Sequence, residues 1–351
     1  MITPEAPTWP APDSRRPAMG TLLLVRLAVE RGLSPDAALA GSGLVVDDLE
    51  SPDRESTAAA EMQVIRNLAA WAGPASTWGL DAGLRYHLTT FGIWGFALVS
   101  ASTVQEAVDI GMRFIDLTSA LTAPRPDVDD AGHLRMVFHE PDEPADVARF
   151  VVQRDLAAVQ VILEEVLGRG ARFREVTFQH EPVPGTEERY REVFGTEPTF
   201  GAERNAVVFD PTTLEARLPQ ADEHTSALAQ DQCRLLLDRR RRRAGLSGQV
   251  RDIIVAGLRH PPSAPEVAAA LNLGERTLRR RLAAEETSVR ILTDEVRAGL
   301  AAELLVSGSL TVAEISHRLG YVEVSSFSQA FRRWHGMSAR SYLAAHPRSD
   351  G

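Results

Sequence analysis

The clearest pattern of apolar and polar positions lies near the carboxyl end, where two stretches repeat one design. Residues 264–282 and residues 311–334 each begin with apolar residues three or four apart, the spacing of one face of a helix. A turn follows in each stretch, and a second amphipathic helix comes after it. Two short helices joined by a turn are typical of a helix-turn-helix. The pattern predicts two such motifs, over residues 264–285 and 311–335.

The second helix of each motif has an apolar side and a polar side. In the first motif, Leu278 and Leu282 have the spacing of a buried stripe. In the second motif Phe327, Phe331 and Trp334 have that spacing, and we predict that they are core residues rather than groups that stack on bases.

The outward side chains of these second helices have the chemistry of a DNA sequence reader. They are Arg276, Arg279 and Arg280 in the first motif and Ser325, Ser326, Ser328 and Gln329 in the second. Arginine presents a planar fork that matches O6 and N7 of guanine, and glutamine can pair bidentately with adenine. A solvated surface is the competing interpretation of an arginine-rich helical face. The tandem repeat, with a glycine in each turn at Gly274 and Gly320, favours DNA binding.

Between the motifs, apolar residues follow a single helical stripe. They are Leu292, Val296, Leu300 and Leu304. The pattern predicts one connecting helix over residues 289–306, which would be about 27 Å long at about 1.5 Å per residue. A rigid helix of that length can hold two recognition helices roughly one duplex turn apart, about 34 Å, so one chain could read two successive major grooves.

With these features, residues 245–343 resemble the DNA-binding domain of the AraC family of bacterial transcription regulators. The resemblance rests on the two motifs, the connecting helix, and LGY followed by SSFSQAFRRWHG. It implies base contacts by Arg276, Arg279, Arg280, Val324, Ser325, Ser328 and Gln329. The positions that depart from the family pattern are Gly274, Glu286, Val289, Gln329, Ala339 and Leu343. Because the second motif has fewer charged donors, base specificity is expected to depend mainly on the first.

The amino-terminal half combines helical and strand patterns. Helices are predicted over residues 18–31, 35–40, 57–72, 103–116, 146–167 and 186–194. Strands are predicted at 133–140 and 173–180, with 117–124 pairing back on the first of them and a hairpin over 198–210. We therefore expect an α+β sensor domain of about five strands, followed by an all-α DNA-binding domain with two helix-turn-helix motifs joined by a connecting helix.

This half is similar to the arabinose-binding type of sensor domain of an AraC subgroup that includes ornithine-utilisation and virulence regulators. The similarity is carried by RGLSPDAALAGSGL and by FGIWGFALVSASTVQEAVDIGMRFIDL at 91–117. It implies a small-molecule effector without identifying one. The aromatic residues that could line the effector site are Tyr86, Phe91, Trp94, Phe96 and Phe114. Core packing is the competing interpretation, because Gly92 and Gly95 among large apolar residues indicate close packing as readily as a cavity.

Charge divides the chain into two unlike parts. The 351 residues carry a net charge of −10, which by itself argues against a nucleic-acid partner. Residues 224–351, however, hold 19 Arg and 13 acidic residues, a net of +6, whereas residues 1–223 hold 19 Arg and 35 acidic residues, a net of −16. The basic part can attract phosphates while the acidic part opposes indiscriminate binding to DNA.

The domain organisation follows from these patterns. We predict a disordered tail over residues 1–17, a regulatory domain over 18–221, a linker over 222–244 and the DNA-binding domain over 245–351. An apolar stripe predicts that the first part of the linker, residues 222–238, is helical. The linker ends in five consecutive arginines, Arg239 to Arg243. This run is either a solvated segment or a phosphate contact.

The sequence contains few of the motifs that are typical of enzymes. His133, His139 and His180 lie on or beside predicted strands, but no HExxH, GxSxG or phosphate-binding glycine loop occurs. We predict no catalytic residue, metal or cofactor. Cys233 is the only cysteine, so an intrachain disulfide is excluded. No apolar run is long enough to span a bilayer, and a cytoplasmic protein without a membrane partner is expected.

The predicted function is a sequence-specific DNA-binding transcription regulator controlled by a small-molecule effector. Its expected partners are double-stranded promoter DNA and that effector, with RNA polymerase and a second copy of the chain as further candidates. One alternative is a DNA-alkylation repair protein that would need Cys233 as an activated methyl acceptor. The other is a dimeric DNA-binding protein that binds no ligand.

Overall fold

The computed structural model describes residues 11–50, 55–74, 76–129, 131–243, 245–307 and 310–345. The chain divides into two compact units, Met1–Arg239 and Arg240–Gly351. Residues 1–10 of the predicted disordered tail lie outside the described residues. Its last part differs from the prediction, because Arg15–Pro17 form a strand.

The first unit contains eleven helices among its described residues. They are α1 Ala18–Glu30, α2 Pro35–Leu39, α3 Val46–Leu49, α4 Ala58–Ala72, α5 Trp78–Gly83, α6 Ile93–Val99, α7 Val104–Arg113, α8 Ala145–Leu167, α9 Glu187–Phe194, α10 Pro211–Glu215 and α11 Glu223–Arg243. Single turns of 3-10 helix cover Leu88–Phe91 and Ile115–Leu117. Side chains of Ser34, Thr57 and Thr103 accept backbone N–H bonds at the starts of α2, α4 and α7, which explains where these helices begin.

Two antiparallel sheets accompany these helices. In the smaller sheet, β1 (Arg15–Pro17) pairs with β2 (Glu55–Thr57). The larger sheet has the order β3-β4-β6-β5, and its strands are β3 Ala123–Val128, β4 Leu134–His139, β5 Glu175–Thr177 and β6 Asn205–Val208.

Two strand predictions were wrong in detail. The partner of β4 is Ala123–Val128 rather than residues 117–124, although it contains Pro124 and Pro126. Proline is tolerated there because β3 lies at the sheet edge, where a missing N–H breaks no ladder on the outer side. The predicted 198–210 hairpin does not form, because both edges of β6 are taken by β4 and β5. Thr199 instead forms a single parallel bridge with Thr177.

Helix α8 is central to the first unit. Its first turns, including Phe150 and Val151, pack into a core with α1, α2 and α4. Its later turns, including Leu156 and Leu163, pack into a second core with α6, α7, the larger sheet and α11. Buried on most sides, α8 carries the residues that form the floor of the cavity described below.

The second unit is entirely helical in its described residues. Its helices are α12 Gly245–Ala256, α13 Ala264–Ala270, α14 Glu275–Ala284, α15 Val289–Ser307, α16 Val312–Arg318, α17 Val324–His335 and α18 Ala339–Ala345. They form two small cores, one around α13 and α14 and the other around α16 and α17. Helix α15 joins them, because Leu292 lies in the first core and Leu305 in the second.

The glycines in the turns of the two motifs, Gly274 and Gly320, occupy different places. Asn272 and Gly320 occupy the equivalent place, the second residue past α13 and α16, and both have positive φ, 52° and 77°. Gly274 is instead the residue before α14, with an ordinary φ of −73°. Gly320 is also required sterically, because an added Cβ would lie 2.6 Å from the carbonyl oxygen of Arg259.

Candidate DNA interface and effector cavity

The outward face of α14 presents guanidinium groups to solvent. Leu278 and Leu282 are buried in the first core of the second unit, which fixes the opposite face outward. Arg276 and Arg280 are exposed and form no ion pair with any residue that the structure describes. Arg279 pairs with Glu275 one turn earlier, at 2.5 Å. Two of the three arginines are therefore available to a polyanion without breaking an internal contact.

The predicted base-contacting side chains of α17, at positions 324, 325, 328 and 329, are all neutral, and the exposed arginines of this helix, Arg332 and Arg333, lie in its last turn. Ser325 Oγ donates to Glu323 Oε2 at 3.0 Å, and Ser328 Oγ donates to the Val324 carbonyl at 2.9 Å. Gln329 is exposed, and Val324 places an apolar side chain on the same surface. The hydroxyl protons of both serines thus have local acceptors, so these positions offer fewer free donors than the arginines of α14.

The aromatic residues of the second motif pack in its core. Phe327 and Phe331 are fully buried, with ring centroids 5.8 Å apart, and Trp334 packs against the same cluster. Their prediction as core residues is confirmed. The burial of these rings orients α17 so that residues 325, 328 and 329 lie on its other side.

Helix α15 is tied to the second motif by polar contacts as well as by its apolar stripe. Arg297 lies over the ring of Tyr321, 4.6 Å from its centroid, and His335 Nε2 donates to the Ala298 carbonyl at 3.2 Å. Arg333 reaches Asp294 at 3.3 Å. At about 1.5 Å per residue, the 19 residues of α15 span about 28 Å. The two recognition helices are therefore mounted on one continuous helix.

The first unit contains a partly open cavity of about 140 Å³. Tyr86, Phe91 and Trp94 lie in its wall, with centroid distances of 6.0 Å between the first two rings and 5.2 Å between the last two. The structure therefore brings three of the five candidate aromatic residues together. Phe114 is buried in the surrounding core but does not line the cavity, and Phe96 is 52% exposed.

Most of the remaining wall is aliphatic or aromatic. It includes Leu98, Val108, Met112, Met136, Ile162 and Phe209. These residues come from α6, α7, α8, β4 and the end of β6. A concave and largely apolar surface assembled from several elements is typical of a site for a small apolar ligand.

The polar part of the lining consists of Thr118, Ser119 and Thr122 and of a buried pair of charged residues on α8. Arg154 and Asp155 line the cavity and are 1% and 7% exposed. Arg154 contacts Asp155 Oδ1 at 2.7 Å and Glu61 Oε1 at 2.7 Å. Glu61 in turn lies 3.6 Å from Arg16 Nη1. All four side chains are buried, so removal of any one leaves an uncompensated charge.

Burial and neighbouring charges set the protonation of this cluster. Burial lowers the pKa of Arg16. Burial also opposes the charge of Arg154, but Asp155, Tyr86 and Glu61 outweigh it and raise the pKa of Arg154. Burial raises the pKa of the Tyr86 phenol, whose hydroxyl donates to the Gly20 carbonyl at 3.0 Å. The cavity wall therefore presents a neutral phenol above a fixed guanidinium.

Arg154, Asp155 and Glu61 were missed from the sequence. The available signal was the adjacent Arg154 and Asp155 within the apolar stripe of a predicted helix, in the sequence FVVQRDLAAV. Charged residues are almost never fully buried unless they are paired. Such a pair on the buried face of a core helix indicates either an internal ion pair or a polar binding site.

His180 and Cys233 lie in the interior of the first unit, where burial disfavours the charged form of each. Burial lowers the pKa of His180 to about 4, and its ring packs among Phe178, Tyr190 and Phe200. Cys233 is buried, and burial raises the pKa of its thiol to about 11. Across the described ranges, no group of three or more His, Cys, Asp or Glu side chains could hold a metal ion. None of the described helices is sufficiently long and apolar to cross a bilayer.

Each of the two units matches a known protein family. Residues 32–218 match the arabinose-binding domain of AraC transcription regulators, N-terminal. Residues 267–345 match a helix-turn-helix domain. The first match covers the cavity and its charge cluster except Arg16, and the second covers both recognition helices.

Known relatives match along almost the whole chain. An uncharacterized HTH-type transcriptional regulator of Mycobacterium tuberculosis is 36% identical over 346 residues, 95% of this chain and 97% of its own. The Ornithine utilization regulator of Pseudomonas aeruginosa is 27% identical over 92% of this chain and 94% of its own. The crystal structure of the transcriptional regulator CdpR from Pseudomonas aeruginosa aligns with 93% of this chain and 98% of its own, at 24% identity and a TM-score of 0.46.

Proposed function

This chain belongs to the AraC family of transcription regulators, and from that premise we propose that a small molecule in the first unit's cavity controls how the second unit binds DNA. It is an HTH-type regulator with an amino-terminal ligand-binding domain. The observation that carries the DNA-binding assignment is a pair of exposed guanidinium groups on the outward face of α14, those of Arg276 and Arg280, which form no ion pair with any described residue.

We assign the base contacts to both recognition helices, with unequal roles. The residues are Arg276, Arg279, Arg280, Val324, Ser325, Ser328 and Gln329. Charge-assisted bonds from arginine to guanine are stronger than bonds between neutral groups, so α14 supplies most of the specificity. Helix α17 adds a weaker reading of its half-site through Gln329 and the methyl groups of Val324.

The effector site is the cavity between α6, α7, α8 and the larger sheet. Its wall and α11 share one core, since Cys233 and Leu237 of α11 are buried in the same cluster as Trp94 and Phe138. Helix α11 extends to Arg243, past the boundary of the first unit at Arg239. A ligand that repacks this core would therefore act on the segment that leads into the DNA-binding unit. Such control requires that the effector bind two arrangements with different affinity.

The name of one relative concerns ornithine utilization, but we do not propose ornithine for this chain. Ornithine carries two ammonium groups and a carboxylate, and a nearly all-apolar wall cannot replace the water around them.

We also propose that the chain has no enzymatic activity. The methyl-acceptor alternative requires a thiolate, whereas Cys233 is a buried thiol within the core of the first unit. A cytoplasmic location, a homodimer and a contact with RNA polymerase are further proposals that follow from the family assignment.

The test of the proposed function is selection of binding sites from random duplex DNA by the full chain. We expect a bipartite consensus, with strong preferences in one half-site. The double variant Arg276→Ala, Arg280→Ala should lose the sequence preference in that half-site. Arg26→Ala is the control, because it removes from α1 of the first unit an exposed guanidinium that pairs with no residue in the described part of the chain. If no consensus emerges, or if the double variant selects the same one as the wild type, the assignment of α14 is wrong.

A further inference from the structure

The charged side chains below the cavity balance each other. Arg16 and Arg154 supply two positive charges, and Glu61 and Asp155 supply two negative charges. All four are at most 7% exposed. A ligand with a net charge would therefore enter a buried site that holds no spare counter-charge among its described residues.

The polar atoms of Arg154 and Asp155, the two charged residues that line the cavity, are also largely hydrogen-bonded. Glu61 Oε2 and Arg16 Nε have no hydrogen-bond partner among the described residues, but neither residue belongs to the lining. Asp155 Oδ2 accepts from the N–H of Leu121, the N–H of Thr122 and the hydroxyl of Thr122, at 2.7–3.0 Å. Arg154 donates through Nε to Asp155 at 2.9 Å, through Nη1 to Glu61 at 2.7 Å and through Nη2 to the Ser119 carbonyl at 2.8 Å. These bonds leave little capacity for an ionised head group.

We propose that the cavity selects an uncharged, largely hydrocarbon ligand of about the size of one substituted aromatic ring. The proposal rests on the proposed function, because it names the ligand class of the effector site. The volume of about 140 Å³ supports the size, since an engineered apolar cavity of about 150 Å³ holds benzene. The rings of Tyr86, Phe91 and Trp94 supply faces and edges against which a ring can pack.

The balance of charges makes the selection strong. An ion that leaves water for this cavity loses its hydration and gains no opposite charge, and a compensating proton transfer would break the balance within the cluster. The hydrocarbon part of a neutral ligand loses its contact with water, which favours entry, and a single hydroxyl group costs far less to remove from water than an ion does. We expect discrimination of about a hundredfold or more between a neutral molecule and an ion of the same shape.

The experiment uses three probes of nearly equal shape on the full chain at neutral pH. They are 4-ethylbenzyl alcohol, 4-ethylbenzoate and 4-ethylbenzylamine, measured by isothermal titration calorimetry and by the shift in Tm. We expect the alcohol to bind and raise Tm, and both ions to bind about a hundredfold more weakly or not at all. Equal or tighter binding of either ion overturns the proposal, and so does failure of all three probes to bind.

A cavity-filling variant shows where the probe binds. Ala158→Leu adds three carbons to the α8 wall and should abolish binding of the alcohol, while Ala227→Leu adds the same atoms on the exposed side of α11 and should not. Ala107→Leu, in the α7 wall, replaces Ala158→Leu if that variant fails to fold.

These variants separate the two proposals. An ion that binds the wild type and is lost in Ala158→Leu overturns the ligand class but keeps the cavity as a ligand site. A probe whose binding is unchanged in the cavity-filling variant removes the cavity from the proposed function as well.

A charge variant tests the balance directly. Glu61→Gln keeps the shape of the side chain but leaves the cluster with one excess positive charge. We expect the ratio of 4-ethylbenzoate to alcohol affinity to rise by about tenfold or more. An unchanged ratio in a variant that folds, as judged by circular dichroism, contradicts the role of charge balance. If the variant does not fold, the three-probe comparison on the wild type decides.

Discussion

At the scale of single residues, the two recognition helices have the same order of buried and exposed positions and differ in their exposed side chains. Arg280 is the sixth residue of α14, and Gln329 is the sixth residue of α17. The fourth residue of each helix, Leu278 or Phe327, is fully buried, so the sixth faces solvent in both. The same exposed position therefore carries a charged guanidinium group in the first motif and a neutral amide in the second.

This difference predicts unequal effects of alanine substitution. Arg280→Ala should cost about 1–3 kcal/mol on the cognate site and relax base preference at about one or two positions. Gln329→Ala should cost less binding free energy, and the base preference that it removes should be one for adenine. Gln329→Arg should raise affinity for many sequences, because it adds a charge that attracts phosphate. The measurement is binding-site selection, followed by fluorescence anisotropy at fixed salt.

Two outcomes would contradict this prediction. Equal information content in both half-sites would show that the neutral side chains at positions 324, 325, 328 and 329 read DNA as well as the arginines of α14 do. A uniform loss of affinity in Arg280→Ala, with unchanged base preference, would place Arg280 on phosphates rather than on bases.

His180 predicts a dependence of stability on pH. Its folded pKa is about 4, against an ordinary value of 6.5, because burial disfavours the charged ring. Between these values the unfolded chain binds a proton that the folded chain does not. His180 should therefore contribute to the fall in the free energy of unfolding as pH drops from about 6.5 to about 4. His180→Gln should flatten the dependence measured by urea denaturation, whereas His224→Gln, at an exposed position, should leave it unchanged.

The outward residues of the recognition helices could be chosen from the sequence, because helical periodicity alone separates their two faces. The floor of the cavity could not. Arg154 and Glu61 lie 93 positions apart, and only the packing of α4 against α8 brings them to 2.7 Å. The same limit explains the error on Phe96: its neighbours Trp94 and Leu98 line the cavity, but its own side chain lies on the outer side of a short helix.

At the scale of elements, prediction succeeded where one chain segment determines the result. Helix α8 spans Ala145–Leu167 against a predicted 146–167, and α15 spans Val289–Ser307 against a predicted 289–306. Strand pairing depends on distant segments, and the hairpin at 198–210 was wrong because β4 and β5 occupy both edges of β6. Short helices such as α5 and α6 were missed, because six or seven residues give little periodicity.

The close contact of α5 with α8 predicts that Gly83 of α5 cannot be replaced by a larger residue without a loss of stability. A Cβ added at Gly83 would lie 2.3 Å from the Arg154 carbonyl oxygen and 2.6 Å from Ala157 Cβ, so one helix must move. Gly83→Ala should lower the free energy of unfolding of the first unit by about 1–3 kcal/mol, the usual cost of overpacking. Chemical denaturation followed by circular dichroism measures it.

Gly299 provides the matched control on α15. It is exposed, and an added Cβ would meet nothing within 4 Å. Gly299→Ala should stabilise the chain by about 0.5–1 kcal/mol, because alanine is the better helix residue. If both substitutions stabilise, the close approach of α5 to α8 is not a constraint.

At the scale of the whole molecule, the division of charge follows the division of the fold. The unit that begins at Arg240 holds both helix-turn-helix motifs, and its two cores are joined by α15. Residues 224–351 are basic and residues 1–223 strongly acidic. Because α15 carries residues of both cores, we expect the second unit to fold alone and to bind DNA without effector control.

Two fragments of different length test what the arginine run contributes. Residues 240–351 include Arg240 to Arg243, whereas residues 245–351 begin with α12 and lack them. Both should be helical by circular dichroism, since both contain every helix from α12 to α18. If the run contacts phosphates, the longer fragment's log-log plot of affinity against salt should be steeper, by about 0.9 for each phosphate that it neutralises. Equal slopes would make the run a solvated linker, and an unfolded shorter fragment would show that the domain begins before Gly245.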